Sequence, residues 1–332
     1  MASIANEQPV QGRIEVVQLF CYVMKHFNHN GDIPMLDSGA NELREENQEQ
    51  LINDIREKIS KIRSYTPKVG VFGNSGIGKS SLCNALFGKD VAKISDVKAG
   101  TRKPQEILIG EHDGQGGIVL IDVPGIGEDP ARHKEYTELY KSLAPELDLV
   151  MWLIKADDRN YASGLDAYAE VFGSEKSPPV IFVITQTDKT NPHQRWNQEA
   201  YEPGEKQIGN IAIKEREVSK HFDISARNII SIAVDVEDEK LTGKTYNLQN
   251  LVDLVVEVLP NEKKFSFTRE AKEENVSTEA RKAAEKGIWD SVKEFAGEAW
   301  GAVKDKVVDI LIASASKIIS VAIDRIKSGK IW

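Results

Sequence analysis

Residues Gly73-Asn74-Ser75-Gly76-Ile77-Gly78-Lys79-Ser80 follow the apolar run Val69-Gly70-Val71-Phe72 and precede Ser81-Leu82-Cys83-Asn84-Ala85-Leu86-Phe87. No other stretch restricts the fold so strongly. A strand, a G-x-x-x-x-G-K-S loop and a helix, in that order, are the setting a phosphate-binding loop requires. Glycines let the backbone curl until successive N–H groups face one anion. A helix starting near Lys79 adds the positive end of its dipole. Asn74, Ser75, Gly76, Ile77, Gly78 and Ser81 are therefore expected around the phosphates. Lys79 would place a point charge at the β- and γ-phosphates, and Ser80 would offer a hydroxyl to Mg2+.

A chain of 332 residues has room for one such domain and flanking elements. With 40% hydrophobic and 29% charged residues it reads as globular rather than disordered. A net charge of -9 disfavours a broad nucleic-acid surface, and sequence-specific DNA binding is not expected. Cys21 and Cys83 make neither a zinc set nor a disulfide framework, which fits a reducing compartment. The N-terminus lacks the basic stretch, apolar core and cleavage site of a signal peptide. A cytoplasmic location is expected, with peripheral attachment to a membrane left open.

Three regions follow from the patterning: helical 1–66, an alternating domain over 67–260, and helical 261–332. In the first, Ile14 to Phe27 is dense enough for a buried helix, residues 29–34 read as a turn, and Leu51, Ile52, Ile55, Ile59 and Ile62 stripe a helix over about 41–63. In the second, strands are predicted at Lys68–Phe72, Glu106–Ile109, Ile118–Ile121, Leu149–Ile154, Val180–Ile184 and Ile229–Ala233. Helices are predicted at Lys79–Phe87, Ala131–Leu143, Ala162–Phe172, Ile208–His221 and Asn247–Val258. Continuous Val/Ile/Leu strands between helices predict an α/β fold with a doubly wound, mostly parallel sheet. Lys263–Glu274 is so charged that it reads as a linker or an exposed helix, and helix formers dominate from Thr278 on. The most apolar tail stretch, Val307–Ile323, contains Asp309 and Lys317 and so is a poor membrane span. Packing is its favoured role, and interfacial membrane binding is an alternative.

Further motifs sit at the ends of the predicted strands. Asp122-Val123-Pro124-Gly125 ends the third, where an acid can hold Mg2+ and a glycine N–H can approach a γ-phosphate. Thr101, in the loop before the second strand, can reach Mg2+ and γ-phosphate when a triphosphate is bound. Thr185-Gln186-Thr187-Asp188-Lys189 follows the fifth strand; a carboxylate there can accept from both N1–H and the N2 amine of guanine, a pair adenine lacks. Ser231-Ile232-Ala233, after the sixth, can offer its backbone to the base oxygen.

These elements, in this order, resemble the Era-like GTPases of the translation-factor-related class, whose bacterial P-loop members are often described as ribosome-binding. Gly78-Lys79-Ser80-Ser81-Leu82-Cys83-Asn84-Ala85-Leu86-Phe87-Gly88 is particularly similar. The resemblance covers about 67–260. It implies a Mg2+-dependent GTPase cycling between GTP and GDP as a molecular switch. Lys79 and Ser80 would serve phosphate and Mg2+, Thr101 and Gly125 the γ-phosphate, Asp122 the metal, and Asp188 the guanine. Three positions depart from the pattern. Gln186 stands where the base motif usually has lysine. Ile126 follows Gly125 where Ras-like relatives have glutamine, so another residue or a partner must position the water. Gly76 replaces the asparagine of potassium-stimulated relatives, so potassium activation is not expected. Arg102 and Arg159 are candidate cis arginines, with ordinary solvated arginines the favoured reading. The other functional classes left open are a nucleotide-dependent assembly or membrane-associated module, dynamin-like or immunity-related-like, with little turnover, and an ATPase with a degenerate base site. Self-association, a ribosome or a membrane surface are the partners the helical flanks leave open.

Overall fold

The computed structural model describes residues 50, 53–74, 76–88, 105–109, 118–122, 133–159, 161–172, 178–237 and 240–300. The expectations placed on 1–49, Leu51, Ile52, Ser75, Thr101, Arg102, Gly125, Ile126 and the stretch Val307–Ile323 lie outside them. Lys58–Val292 forms one compact unit. Outside that unit, the described stretches 53–57 and 293–300 are helical.

Helix α1 (53–64) leads into β1 (Lys68–Phe72), the loop, and α2 (Lys79–Phe87). Then come β2 (Gln105–Ile109), β3 (Ile118–Asp122), α3 (His133–Leu143), β4 (Leu149–Lys155), α4 (Ala162–Phe172) and β5 (Val180–Thr185). The chain continues through α5 (Glu205–Phe222), β6 (Ile229–Ser231), β7 (Ala233–Glu237), β8 (Lys240–Tyr246), α6 (Leu248–Val258), α7 (Asn261–Glu270) and α8 (Thr278–Trp300). Six strands form one sheet in the order β2-β3-β1-β4-β5-β6, parallel except for the antiparallel β2–β3 edge.

Strand side chains alternate between the faces. Val69, Val71, Leu149, Met151, Leu153, Ile181 and Val183 meet α2, α6 and the segment 267–280 on one face. Phe72, Val150, Trp152, Ile154, Phe182 and Ile184 meet α3, α4 and α5 on the other. Both faces are covered, which is why these strands read as unbroken apolar runs. Because β1 is flanked by β3 and β4, the strand order reverses at its carboxyl end, the place where open α/β sheets hold ligands.

Two anchors hold the flanking elements within the compact unit. Asp148, 5% exposed, accepts from the Tyr65 hydroxyl at 2.9 and 2.8 Å, from the Lys68 N–H at 2.9 Å and from the Lys263 ammonium. The second anchor closes the C-terminal end of α2: Lys272 N–H donates to Leu86 O at 2.8 Å and Asn275 Nδ2 to Ala85 O at 2.9 Å. Phe267 packs edge-on against Phe87 at 5.7 Å.

The expected linker or exposed helix at Lys263–Glu274 is instead a packed element. Helix α7 buries Phe265, Ser266 and Phe267, and its cations reach carboxylates and carbonyls of its neighbours. Two aromatics within a charged run outweigh the run's mean polarity once they find a partner surface. The strand predicted over Ile229–Ala233 also divides. Ile229–Ser231 stays in the main sheet, and Ala233 starts an antiparallel β7–β8 hairpin that the apolar pattern did not announce.

Candidate functional site

The loop after β1 takes the conformation its glycines permit. Gly73 has φ 148°, and a Cβ there would lie 3.0 Å from Leu153 O. Gly78, with φ 96°, is the residue from which α2 springs, and Leu82 N–H already bonds its carbonyl at 2.9 Å. The first turn of α2 has no acidic residue, and no side chain caps it. Its leading N–H groups and positive dipole end thus face the loop without a competing carboxylate. Lys79 Nζ reaches back across the loop to Gly73 O at 2.9 Å and Asn74 O at 3.3 Å. Ser80 and Ser81 lie half-buried in the same turn. A glycine-rich loop that meets the bare N-terminus of a helix is an arrangement suited to an anion.

The base-reading candidates lie beside it because β5 is separated from β1 by β4 alone. Thr185 Oγ1 donates to Ile77 O at 2.7 Å, and Gln186 Nε2 to Gly76 O at 3.1 Å. Both bonds run from the base turn to the phosphate loop. Gln186 is left-handed at φ 56°, and residues 187–189 make one 3-10 turn. Lys189 Nζ donates to Gln186 Oε1 at 2.9 Å. Thr187 binds Ile232 O twice, through its N–H at 3.2 Å and its hydroxyl at 2.8 Å. Ile232 N–H is committed to Ile184 O at 2.8 Å, and Ser231 O accepts from Asn247 Nδ2 at 2.9 Å.

Asp188 is half-buried. Burial lifts its carboxyl above the ordinary range, Lys189 pulls it back, and Asp235 on the hairpin adds to the rise. Tyr201 stands near enough that the Asp188 and Asp235 charges, after burial, raise its phenol too. Sequence reasoning missed the buried cluster around Tyr201: Trp196 and Tyr201, 5.4 Å apart edge-on, pack with Ala233 and Tyr246. Two aromatics in the polar stretch 190–204 were the available signal.

At the phosphate end, a cavity of about 30 Å3 lies against Gly73 and Asn74, lined also by Trp152, Asp158 and Tyr161. The Tyr161 hydroxyl is buried with no hydrogen-bond partner among the described residues, and burial pushes it up to about 12. Lys214 donates to Asp158 O and sits 4.8 Å over the Tyr161 ring, and burial lowers its pKa. Arg159, the cis-arginine candidate, is exposed. Asp122 ends β3 in register with Val71 of β1, which puts its backbone beside the start of the loop.

Residues 68–186 match the model of the 50S ribosome-binding GTPase family. The chain is 46% identical over 136 residues to the uncharacterized protein YkfA of Escherichia coli (strain K12), covering 41% of this chain and 47% of that protein. It is 32% identical over 124 residues to GTPase Era of Geobacter metallireducens, covering 37% of this chain and 40% of Era. The chain thus spans less than half the length of these curated relatives. The crystal structure of Era with MgGDPNP and a stretch of 16S ribosomal RNA aligns at TM-score 0.41 and 22% identity, covering 62% of this chain and 66% of that one. The loop, the strand-end motifs and the family match agree over one stretch: residues 68–186 form a P-loop GTPase domain similar to those of the 50S ribosome-binding GTPase family and of Era.

Proposed function

We propose that the chain binds GTP and GDP with Mg2+ and hydrolyses GTP to GDP and phosphate, as a nucleotide-controlled switch. One observation supports this above the others. The hydroxyl of Thr185 and the amide of Gln186 tie the base turn directly to the phosphate loop, so both subsites are built as one. In this reading the backbone of Asn74, Ser75, Gly76, Ile77, Gly78 and Ser81 wraps the phosphates, and Lys79 neutralises the charge that spreads over the γ-phosphoryl oxygens. Asp188 reads guanine, with Lys189 and Ser231-Ile232-Ala233 around the base. Ser80, Thr101 and Asp122 hold Mg2+, which supplies charge neutralisation between the β- and γ-phosphates. Thr101 and Gly125 contact the γ-phosphate and relax when it leaves. The reaction is in-line attack by water, driven by positioning and electrostatics. No glutamine follows Gly125, so slow intrinsic turnover is expected.

Titration with GTP and ATP side by side, followed by phosphate release, tests this. Lys79→Ala is expected to lose nucleotide binding; unchanged GTP affinity in that variant would retire the loop assignment. Asp188→Asn is expected to trade guanosine for xanthosine nucleotide, because an amide can donate where a carboxylate only accepts. A specific observation also favours a role as a nucleotide-controlled assembly module: the segment after α7 bonds the far end of the same helix that starts at the phosphates. Co-sedimentation with ribosomes, with anionic vesicles or with itself, in GDP against a non-hydrolysable GTP analogue, distinguishes a docking switch from a free-standing hydrolase.

A further inference from the structure

The amide of Gln186 has two chemically different neighbours. Its Nε2 donates to Gly76 O at 3.1 Å, and its Oε1 accepts from Lys189 Nζ at 2.9 Å. A carbonyl only accepts and an ammonium only donates, so one orientation of the amide satisfies both. The reverse orientation would set oxygen against oxygen and NH2 against NH3+. The amide also lies over the loop's bare face, since a Cβ on Gly78 would be 3.9 Å from Nε2. Gln186 reaches this place from a left-handed backbone, φ 56° and ψ 39°, which a side chain adopts at a cost. A neutral amide held so deliberately between two loops has its charge supplied from outside, three residues on.

We propose that Lys189 is a positioning residue for guanine-nucleotide binding. Its ammonium orients and polarises the Gln186 amide, which then clamps the base turn to the phosphate loop; together the pair does what a single lysine at 186 would do alone. The inference rests on the guanine-nucleotide reading above. It also explains how a base turn lacking lysine at 186 keeps a cation at the rim of the base site.

The test is a double-mutant cycle on the full chain, read by fluorescent GDP titration. Lys189→Met is expected to weaken GDP binding by about 5- to 10-fold, the loss of one charge-assisted hydrogen bond. Gln186→Lys serves as the second background, whatever its own affinity, because a lysine there can donate to Gly76 O with its own charge. In the Gln186→Lys background, Lys189→Met is expected to cost less than about 2-fold. A general loss of surface charge would cost the same in both backgrounds, so additive effects would overturn the proposal. Unchanged affinity in Lys189→Met alone would also overturn it. Thermal melting of the nucleotide-free variants, expected to match the unaltered chain, separates binding from folding. Failure of the unaltered chain to bind GDP would overturn the guanine reading itself, whereas binding without coupling retires this inference alone.

Discussion

Asp188, proposed above to read guanine, is a side chain whose burial opposes the charge that role requires. Burial disfavours its charged form, and Asp235 adds to that; Lys189 opposes both. The folded protein therefore holds this proton to a higher pH than the unfolded chain does. The sign follows from linkage: folding stability falls as pH rises through that window, because the native state binds more protons there. In the proposed reading guanine needs the ionised form, so nucleotide binding would pull the pKa down and release a proton. Calorimetry of GDP binding in two buffers of different ionisation enthalpy should show proton release where Asp188 titrates in the nucleotide-free protein, fading as pH rises beyond that range. Asp188→Asn should leave the nucleotide-free protein at least as stable at neutral pH, because a neutral amide bears no desolvation penalty for charge. Gly78 makes the complementary case. Its φ of 96° is strained for any other residue, while the nearest atom to an added Cβ is 3.9 Å away. Gly78→Ala should cost about 1 kcal/mol or more through backbone strain, not collision. It should also weaken GDP binding by tilting the first N–H groups of α2. Equal melting temperatures with equal GDP affinity would refute that.

At the scale of elements, one carboxylate ties α7 and the segment after α1 to the turn before β4. Asp148→Ala would leave the Tyr65 hydroxyl, the Lys68 N–H and the Lys263 ammonium without their acceptor. Because Lys263 keeps a quarter of its side chain in water, the expected loss is about 2–4 kcal/mol, below that of a fully buried pair. Urea unfolding measures it, and Asp148→Asn, which keeps one acceptor oxygen, should lose less. Elements of this kind were the hard part to read in advance. Strands β1, β4 and β5 were legible because both faces of each are covered, so apolar residues run without a break. The β7–β8 hairpin was not: its outer residues are exposed, and its signal is a short alternation ending at Gly243, which has φ 90°. Helix α7 was masked by its own charges, since composition averages over a face and cannot show that Phe265 and Phe267 turn inward. In the site, motif positions were legible from strand ends. The partners of those motifs were not, because Asp235 comes from β7 and Tyr201 and Asp158 from separate connections, with no spacing to mark them.

The same helix that springs from the glycine-rich loop closes on the segment 272–275, and this links the candidate site to the rest of the compact unit. Helix α2 runs from Lys79 to Phe87, about 13 Å at 1.5 Å per residue. At its start lie the N–H groups of the phosphate loop. At its end the carbonyls of Ala85 and Leu86 accept from Asn275 and Lys272. A short helix buried along Leu82, Cys83 and Leu86 is expected to move as one body, which would carry a shift at one end to the other. Ordering the loop with nucleotide should therefore slow amide exchange across 272–277 even though that segment touches no phosphate. The effect should be larger with a GTP analogue than with GDP if the γ-phosphate alters the seating of α2. Asn275→Ala provides the control: it removes a buried donor from Ala85 O, costs about 1–3 kcal/mol, and should uncouple exchange at 272–277 from nucleotide. Lys79, Thr185 and Asp188 stay in place in that variant, so GDP should still bind. Protection at 272–277 that ignores nucleotide in the unaltered chain would confine the switch to the loops around the site. Protection that responds, and is lost in Asn275→Ala with binding retained, would make α2 the lever through which the C-terminal segment senses the nucleotide.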